Sequence, residues 1–274
     1  MTLGSRATMR AMNRPDTSGA QTVDRAVAIL RLLASAGESG LRLIDLQNAS
    51  GLSKPTVHRL LGSLLQHGLV EQDDDSRRYR LGMEMAVLGW SVSSGRADLR
   101  QLCGPEMQAL ADETGDTAFL AVRSGYDTVC IERKMGPYPI KAFTVDVGTR
   151  RPLGVGAGGI IMIAAMPEDE AELVFESIRE PLRSYPNVPE ATLRQAVARA
   201  RDDGYALSDG LVMAGVRGLA VLVRDARGAP AAALSLSAVQ DRIRPERVPA
   251  LVKALEERKR RIERSLAGRG RLSR

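Results

Sequence analysis

Between Ser53 and Arg59 the chain reads Ser-Lys-Pro-Thr-Val-His-Arg. Ser53, Lys54, Pro55, Thr56, His58 and Arg59 put hydroxyls, cations and a compact ring within two helical turns. Small and cationic groups at the start of a helix can meet base edges in a DNA major groove. Further along, Arg77 and Arg78 follow a run of turn residues. Arginines on a hairpin beside such a helix can reach phosphates or the minor groove. The spacing also fits an ordinary amphipathic helix with a solvated charged face, so the surrounding elements must decide.

Those elements come in a telling order. Ser53 is placed to cap a helix through its hydroxyl, and Pro55 falls in the first turn, where a missing N–H costs nothing. Val57, Leu60, Leu61 and Leu64 recur at helical spacing and predict one buried face. Gly68 is expected to end the helix in a left-handed cap. Leu69 and Val70 open a strand, Asp73-Asp74-Asp75-Ser76 is turn chemistry, and Arg77 to Leu81 should return as a second strand. Upstream, Thr22 is placed to cap a helix with Val23, Ala26, Val27, Leu30 and Leu33 inward, closed by Gly37. Leu43 to Ser50 forms a short helix, with no evident cap at Arg42, and Ala49-Ser50-Gly51 turns into the next. Residues 22–82 therefore read as a winged helix-turn-helix.

A second stretch, Gly154-Val155-Gly156-Ala157-Gly158-Gly159, matches the G-x-G-x-x-G of dinucleotide sites. That motif must follow a strand inside an alternating βαβ unit. Here Thr149-Arg150-Arg151-Pro152 reads as a loop, and no such alternation surrounds it. An oxidoreductase using this loop is the rival function from another class. The favoured reading is a loop whose small residues let backbone N–H groups approach a carboxylate at a helix start. The two histidines, His58 and His67, both lie in the winged-helix region, so no triad or metal group can be built around a histidine elsewhere. Cys103 and Cys130 are isolated and read as buried small hydrophobes in a reducing cytoplasm. No cofactor or metal, and no enzyme activity, is expected.

At 274 residues the chain has room for two cores. Aromatic content of 3% argues against stacking platforms for single-stranded nucleic acid. The net charge of +6 is matched by the tail alone, where nine Lys/Arg from Lys253 to Arg274 face Glu256, Glu257 and Glu263. From Thr22 to Met83, eight Lys/Arg and seven Asp/Glu nearly cancel. DNA binding thus rests on where individual cations point. No apolar run is long enough to span a membrane, no signal peptide is evident, and a cytoplasmic protein is expected.

Residues 1–21 read as a disordered tail. Residues 83–98 form a linker helix with Met83, Val87, Trp90 and Val92 on an apolar face, which either a second subunit or its own chain could cover. Residues 99–267 form the second domain, with 268–274 as a basic tail. Helices are expected at Gln101–Glu113, Gly158–Ala165, Glu168–Ile178, Glu190–Asp202 and from Pro245 to Leu266. Strands are expected at Ala118–Arg123, Thr128–Arg133, Ile140–Val147, Tyr205–Ser208, Leu219–Val223 and Ala231–Ser237. Strands in runs with flanking helices favour an α+β fold with an antiparallel sheet.

In order, the segments TVDRAVAILRLL, GLSKPTVHRLLGSLLQHGLV, RYRLG, RRPLGVGAGGIIMIAA, GYALSD and AAALSLS resemble the IclR-type bacterial transcriptional regulators, over roughly Thr22 to Leu266. The resemblance implies a winged helix-turn-helix, a linker helix and a GAF-like effector-binding domain. It implies a homodimer, often paired into a dimer of dimers, on double-stranded operator DNA, and a small organic acid as effector. It carries effector contacts onto Leu153, Gly154, Val155, Gly156, Gly158, Ser208, Asp209, Val216, Gly218, Ser235 and Ser237. This chain departs from the family in three places. Relatives often have two acids where it has Gly210-Leu211, a cysteine where it has Gly218, and an acid where it has Ser208. The implied pocket is roomier and less acidic, which disfavours a glyoxylate- or pyruvate-like ligand and admits a bulkier, even aromatic, acid. A repressor of a catabolic operon is the expected role, with an activator as the alternative.

Overall fold

The computed structural model describes residues 20–93, 99–141 and 145–272. They fall into two compact units, Met1–Arg96 and Ala97–Arg274. Most of the expected 1–21 tail and the end of the expected linker helix lie outside the described residues.

The first unit packs α1 (Gln21–Ala36), α2 (Leu43–Ser50) and α3 (Lys54–Gln66) on a hairpin of β1 (Val70–Gln72) and β2 (Tyr79–Leu81). Ile29, Leu33, Leu46, Val57, Leu60, Leu61, Leu64, Val70 and Tyr79 form its core. Helix α1 starts before Thr22, at an Ala20 cap with no side-chain bond. Thr22 is therefore inside the helix, and Val23, expected in the stripe, is exposed because the buried face is centred on Ile29 and Leu33. Helix α2 is capped after all, since the Asp45 carboxylate accepts from the Arg42 N–H at 3.0 Å. Gly68 adopts φ +66°. Its N–H donates to Leu65 O and that of Leu69 to Leu64 O, the paired bonds of a Schellman ending. Leu41 extends the hairpin through reciprocal backbone bonds with Tyr79. Helix α4 (Met83–Ser93) follows, exposing Met83, Val87, Leu88 and Trp90.

The second unit is built on a six-stranded sheet in the order β5-β4-β3-β8-β7-β6, every pair antiparallel. The strands are β3 (Thr117–Ser124), β4 (Asp127–Met135), β5 (Arg150–Pro152), β6 (Ala206–Asp209), β7 (Val216–Arg224) and β8 (Pro230–Val239). On one face lie α6 (Ala157–Ala164), α7 (Glu168–Leu182) and α8 (Glu190–Asp203), on the other α5 (Leu99–Thr114) and α9 (Val248–Leu272), each over its own apolar core. The expected strand over 140–147 is not formed by its described residues, and 142–144 lie outside them. The β4 partner is instead Arg150–Pro152, read above as a loop. Helix α9 runs on through Leu272, so the expected basic tail at 268–274 is largely helix. No helix among the described residues is long and apolar enough to cross a membrane.

Candidate nucleic-acid interface and effector cavity

Helix α3 divides cleanly. Val57, Leu60, Leu61 and Leu64 are buried, while Ser53, Lys54, Pro55, His58 and Arg59 are exposed and Thr56 lies at the margin. Ser53 occupies the cap position with extended backbone, but its hydroxyl bonds the Thr56 hydroxyl at 2.9 Å instead of a backbone N–H. The first N–H groups of α3 are thus left open to an anion. Lys54 and Arg59 have no ion-pair partner among the described residues.

The two wing arginines behave differently. Arg77 is exposed and takes φ +55°, so it belongs to the turn and not to the strand expected from Arg77 onward. Asp73 fixes that turn, accepting from the Ser76 N–H at 2.8 Å and the Ser76 hydroxyl at 2.6 Å. The Ser76 hydroxyl, more than any other group, holds the Asp73 carboxyl below its ordinary value. Asp73 is therefore a structural acceptor, leaving Asp74 and Asp75 as the exposed tip. Arg78 folds back, and its Nη1 donates to Gly40 O at 2.9 Å and Ser39 O at 3.3 Å. It ties the wing to the turn that follows α1 and is no free phosphate clamp.

In the second unit a cavity of about 90 Å³ opens between α6 and the sheet. That is room for a few waters or one small ligand. Strand register assembles it. Ser208 pairs with Gly218, and Gly218 with Ser237, while Ser235 pairs with Phe119 and Ala121 with Cys130. Residues two apart on a strand share a face, so Ser235 and Ser237 both reach the cavity. Ser208 and Ser237 are 4% and 8% exposed. Their hydroxyls, like that of Ser235, have no hydrogen-bond partner among the described residues. Gly156, Ala157 and Gly158 bring the start of α6 to the wall, and the first N–H groups of a helix lack partners inside it.

Of the residues implied by resemblance, Val155, Gly156, Gly158, Ser208, Val216, Gly218, Ser235 and Ser237 line this cavity. Leu153, Gly154 and Asp209 do not. Leu153 is fully buried in the core. Gly154, at φ +89°, lies against Leu193, which leaves no space for a side chain. Asp209 turns away to a two-pronged pair with Arg217, both contacts 2.8 Å. The cavity also has walls that periodicity alone did not reveal: Phe119 and Ala121 from β3, Thr128 and Cys130 from β4, Arg151 from β5, and Val212. The alternation of 119/121 and 128/130 was readable as a strand signal, but which face met α6 was not. Among the described residues, no carboxylate lines the cavity. Burial pushes the Cys130 thiol up to about 11 and lowers Arg151 from its ordinary value.

A strand does precede the glycine loop, contrary to the expectation above. It is an edge strand paired antiparallel with β4, so the parallel βαβ geometry of a dinucleotide site is missing all the same.

This combination of helix-turn-helix, wing and effector-type sheet domain defines a class, and comparison with known proteins agrees. Residues 22–74 match the IclR helix-turn-helix domain and residues 92–264 the bacterial transcriptional regulator IclR C-terminal domain. The chain belongs to the IclR family of transcriptional regulators, and it is a DNA-binding regulator, not an enzyme. It is 34% identical to the HTH-type transcriptional regulator XynR of Escherichia coli, over 81% of this chain and 88% of that one. It is 32% identical to the glycerol operon regulatory protein of Streptomyces griseus, over 91% and 98%. An IclR homologue of Microbacterium hydrocarbonoxydans, solved with 4-hydroxybenzoate, superposes with a TM-score of 0.68 at 25% identity, covering 90% of this chain and 99% of that one.

Proposed function

We propose that this regulator is an effector-gated repressor of a catabolic operon. It binds double-stranded operator DNA as a homodimer, or a dimer of dimers, and is controlled by a small organic acid in the α6 cavity. Ser53, Lys54, Pro55, Thr56, His58 and Arg59 meet base edges and phosphates, and Arg77 adds a wing contact. The observation that carries this reading is the exposed N-terminal half of α3, whose cations are uncommitted while its opposite face is locked in the core. The exposed apolar side chains of α4 suit cover by a second subunit. Relatives named as repressors, among them the transcriptional repressor IclR of Escherichia coli, support the sign of control. The 4-hydroxybenzoate complex of the Microbacterium homologue supports an acid of that size, aromatic ones included.

The test is a gel shift on the intergenic DNA upstream of the gene, repeated with small acids and with the Ser235→Ala/Ser237→Ala protein. An effector acts only through its difference in affinity between two arrangements, typically about 1–3 kcal/mol. Wild-type and double-variant proteins should bind DNA alike without effector, and the variant's response to effector should be blunted. An undiminished response would move the effector site elsewhere. Loss of DNA binding without any acid would assign the serines to the fold.

A further inference from the structure

The hydroxyls of the cavity stand in a row. Ser208, Gly218 and Ser237 face one another across β6, β7 and β8, with the glycine in the middle. At ~4.8 Å per strand the two serine backbones are about 10 Å apart, and Gly218 puts no side chain into the gap. Thr117, next in the row on β3, is 1% exposed, and its Oγ1 has no partner either. The polar character therefore belongs to the row and not to one side chain. The start of α6 lies over it, since a Cβ built on Gly218 would stand 3.5 Å from the Ala157 Cβ. The N–H groups of Ala157 and Gly158 have no backbone partner among the described residues. Much of the remaining wall is apolar, from Phe119, Ala121, Val155 and Val212.

This set of groups asks for more than a carboxylate. Helix N–H groups only donate, and a carboxylate only accepts, whereas a serine hydroxyl has one proton and two lone pairs. A plain acid meets the N–H groups and the hydroxyl protons but leaves the lone pairs of Ser208 and Ser237 without a donor. The other donors of the wall are committed. Thr128 and Cys130 donate to the carbonyls of Arg151 and Glu132. Arg217 is held by Asp209 and Ile243 O, and Arg151 has a partner of its own. The missing donor must come from the ligand, and a ligand hydroxyl supplies it while accepting in return. Because the start of α6 lies over the serine row, that hydroxyl has to sit close to the carboxylate.

Resting on the reading of this cavity as the effector site, we propose that the effector is a short 2- or 3-hydroxy acid. Its carboxylate accepts from the N–H groups of Ala157 and Gly158. Its hydroxyl lies beside Gly218, donates to one serine of the row and accepts from the other. Its carbon chain runs toward Phe119 and Val212. Ser208 and Ser237 are then the residues that select a hydroxy acid over the plain acid, and Gly218 keeps the space between them open.

The experiment is calorimetry on the full chain with 2-hydroxybutyrate and 3-hydroxybutyrate against butyrate, and with 4-hydroxybenzoate against benzoate. It is run on wild type, on Ser208→Ala with Ser237→Ala, and on Gly218→Ala. A site built to bond a ligand hydroxyl rejects the analogue lacking it, so wild type should prefer at least one hydroxybutyrate over butyrate by roughly tenfold to hundredfold. The hydroxyl of 4-hydroxybenzoate stands across the ring from its carboxylate and should add little over benzoate. The double serine variant should lose the hydroxybutyrate preference while butyrate binds as before. A methyl at Gly218 meets nothing nearer than 3.5 Å, so Gly218→Ala keeps the fold and should weaken the hydroxybutyrates by narrowing the row. Should the serine variant fail to fold, the wild-type preference and Gly218→Ala still decide. Butyrate binding wild type as tightly as both hydroxybutyrates overturns the proposal, as does an undiminished preference in the serine variant. Tight binding of the benzoates alone also overturns it, an outcome that leaves the cavity as the effector site. If none of these acids binds and none alters DNA affinity, the proposal and the acid-effector reading fall together.

Discussion

The α3 face and the α6 cavity present polar groups in opposite ways. On α3 the cations stand in water, and the helix is held by the four apolar residues behind them. In the cavity, Ser208 and Ser237 sit away from water on strands that also make up the core. Exposed functional groups cost a fold almost nothing, whereas desolvated ones reduce its stability until a ligand meets them. Function and stability should therefore separate under mutation in the first unit and be entangled in the second.

The largest effect should come from the loop that shapes the cavity. A Cβ at Gly159 would stand 2.5 Å from the Gly154 backbone nitrogen, and backbone cannot swing aside as a side-chain tip can. Gly159→Ala should destabilise the second unit by about 3 kcal/mol, at the upper end for overpacking. Its denaturation transition should move while that of the first unit stays in place. Two unchanged transitions would show that the loop yields.

Arg59→Ala is the counterpart in the first unit. It should cost about 1–3 kcal/mol of operator affinity and relax specificity at one base position. Thermal stability should stay within roughly 0.5 kcal/mol, as for exposed substitutions generally. Footprinting beside a melting curve checks both halves. Unchanged affinity would take Arg59 out of the interface, and a lowered melting point would break the contrast between the two units.

The same contrast explains what the sequence made legible. The face of α3 follows from helical period alone, so Val57, Leu60, Leu61 and Leu64 point inward and Lys54, His58 and Arg59 outward without any knowledge of the partner elements. The cavity is made by pairing across β8, β3, β4 and β5, strands distant in sequence. Ser235 and Ser237 entered through family resemblance, since nothing local distinguishes them from strand residues facing solvent. Arg151 was hidden because Arg150–Pro152 is a three-residue edge strand with no apolar alternation. The turn of Asp209 toward Arg217 was not readable either, because that ion pair is cross-strand. Local signals also gave way where side chains replaced them, as at the Ser53–Thr56 bond and at the Asp73 turn, which takes Arg77 out of the strand.

The smallest effect lies in the wing, where two adjacent arginines should part company. Arg77 is exposed and its guanidinium bonds no acceptor among the described residues, so Arg77→Ala removes one phosphate contact and little else. The slope of log K against log salt should fall by about 1, with all DNA sequences weakened alike. Arg78 donates to the carbonyls of Ser39 and Gly40, a link that fixes the wing against the turn that follows α1. Arg78→Ala should instead lower the stability of the first unit by about 1 kcal/mol, the usual worth of such bonds, with the salt slope nearly unchanged. Weakened DNA binding in this variant would then follow from a loosened wing, and cooling, which restores the wing's order, should recover more affinity for it than for Arg77→Ala. Equal loss of salt slope in both variants would show that Arg78 leaves its carbonyls for phosphate when DNA arrives.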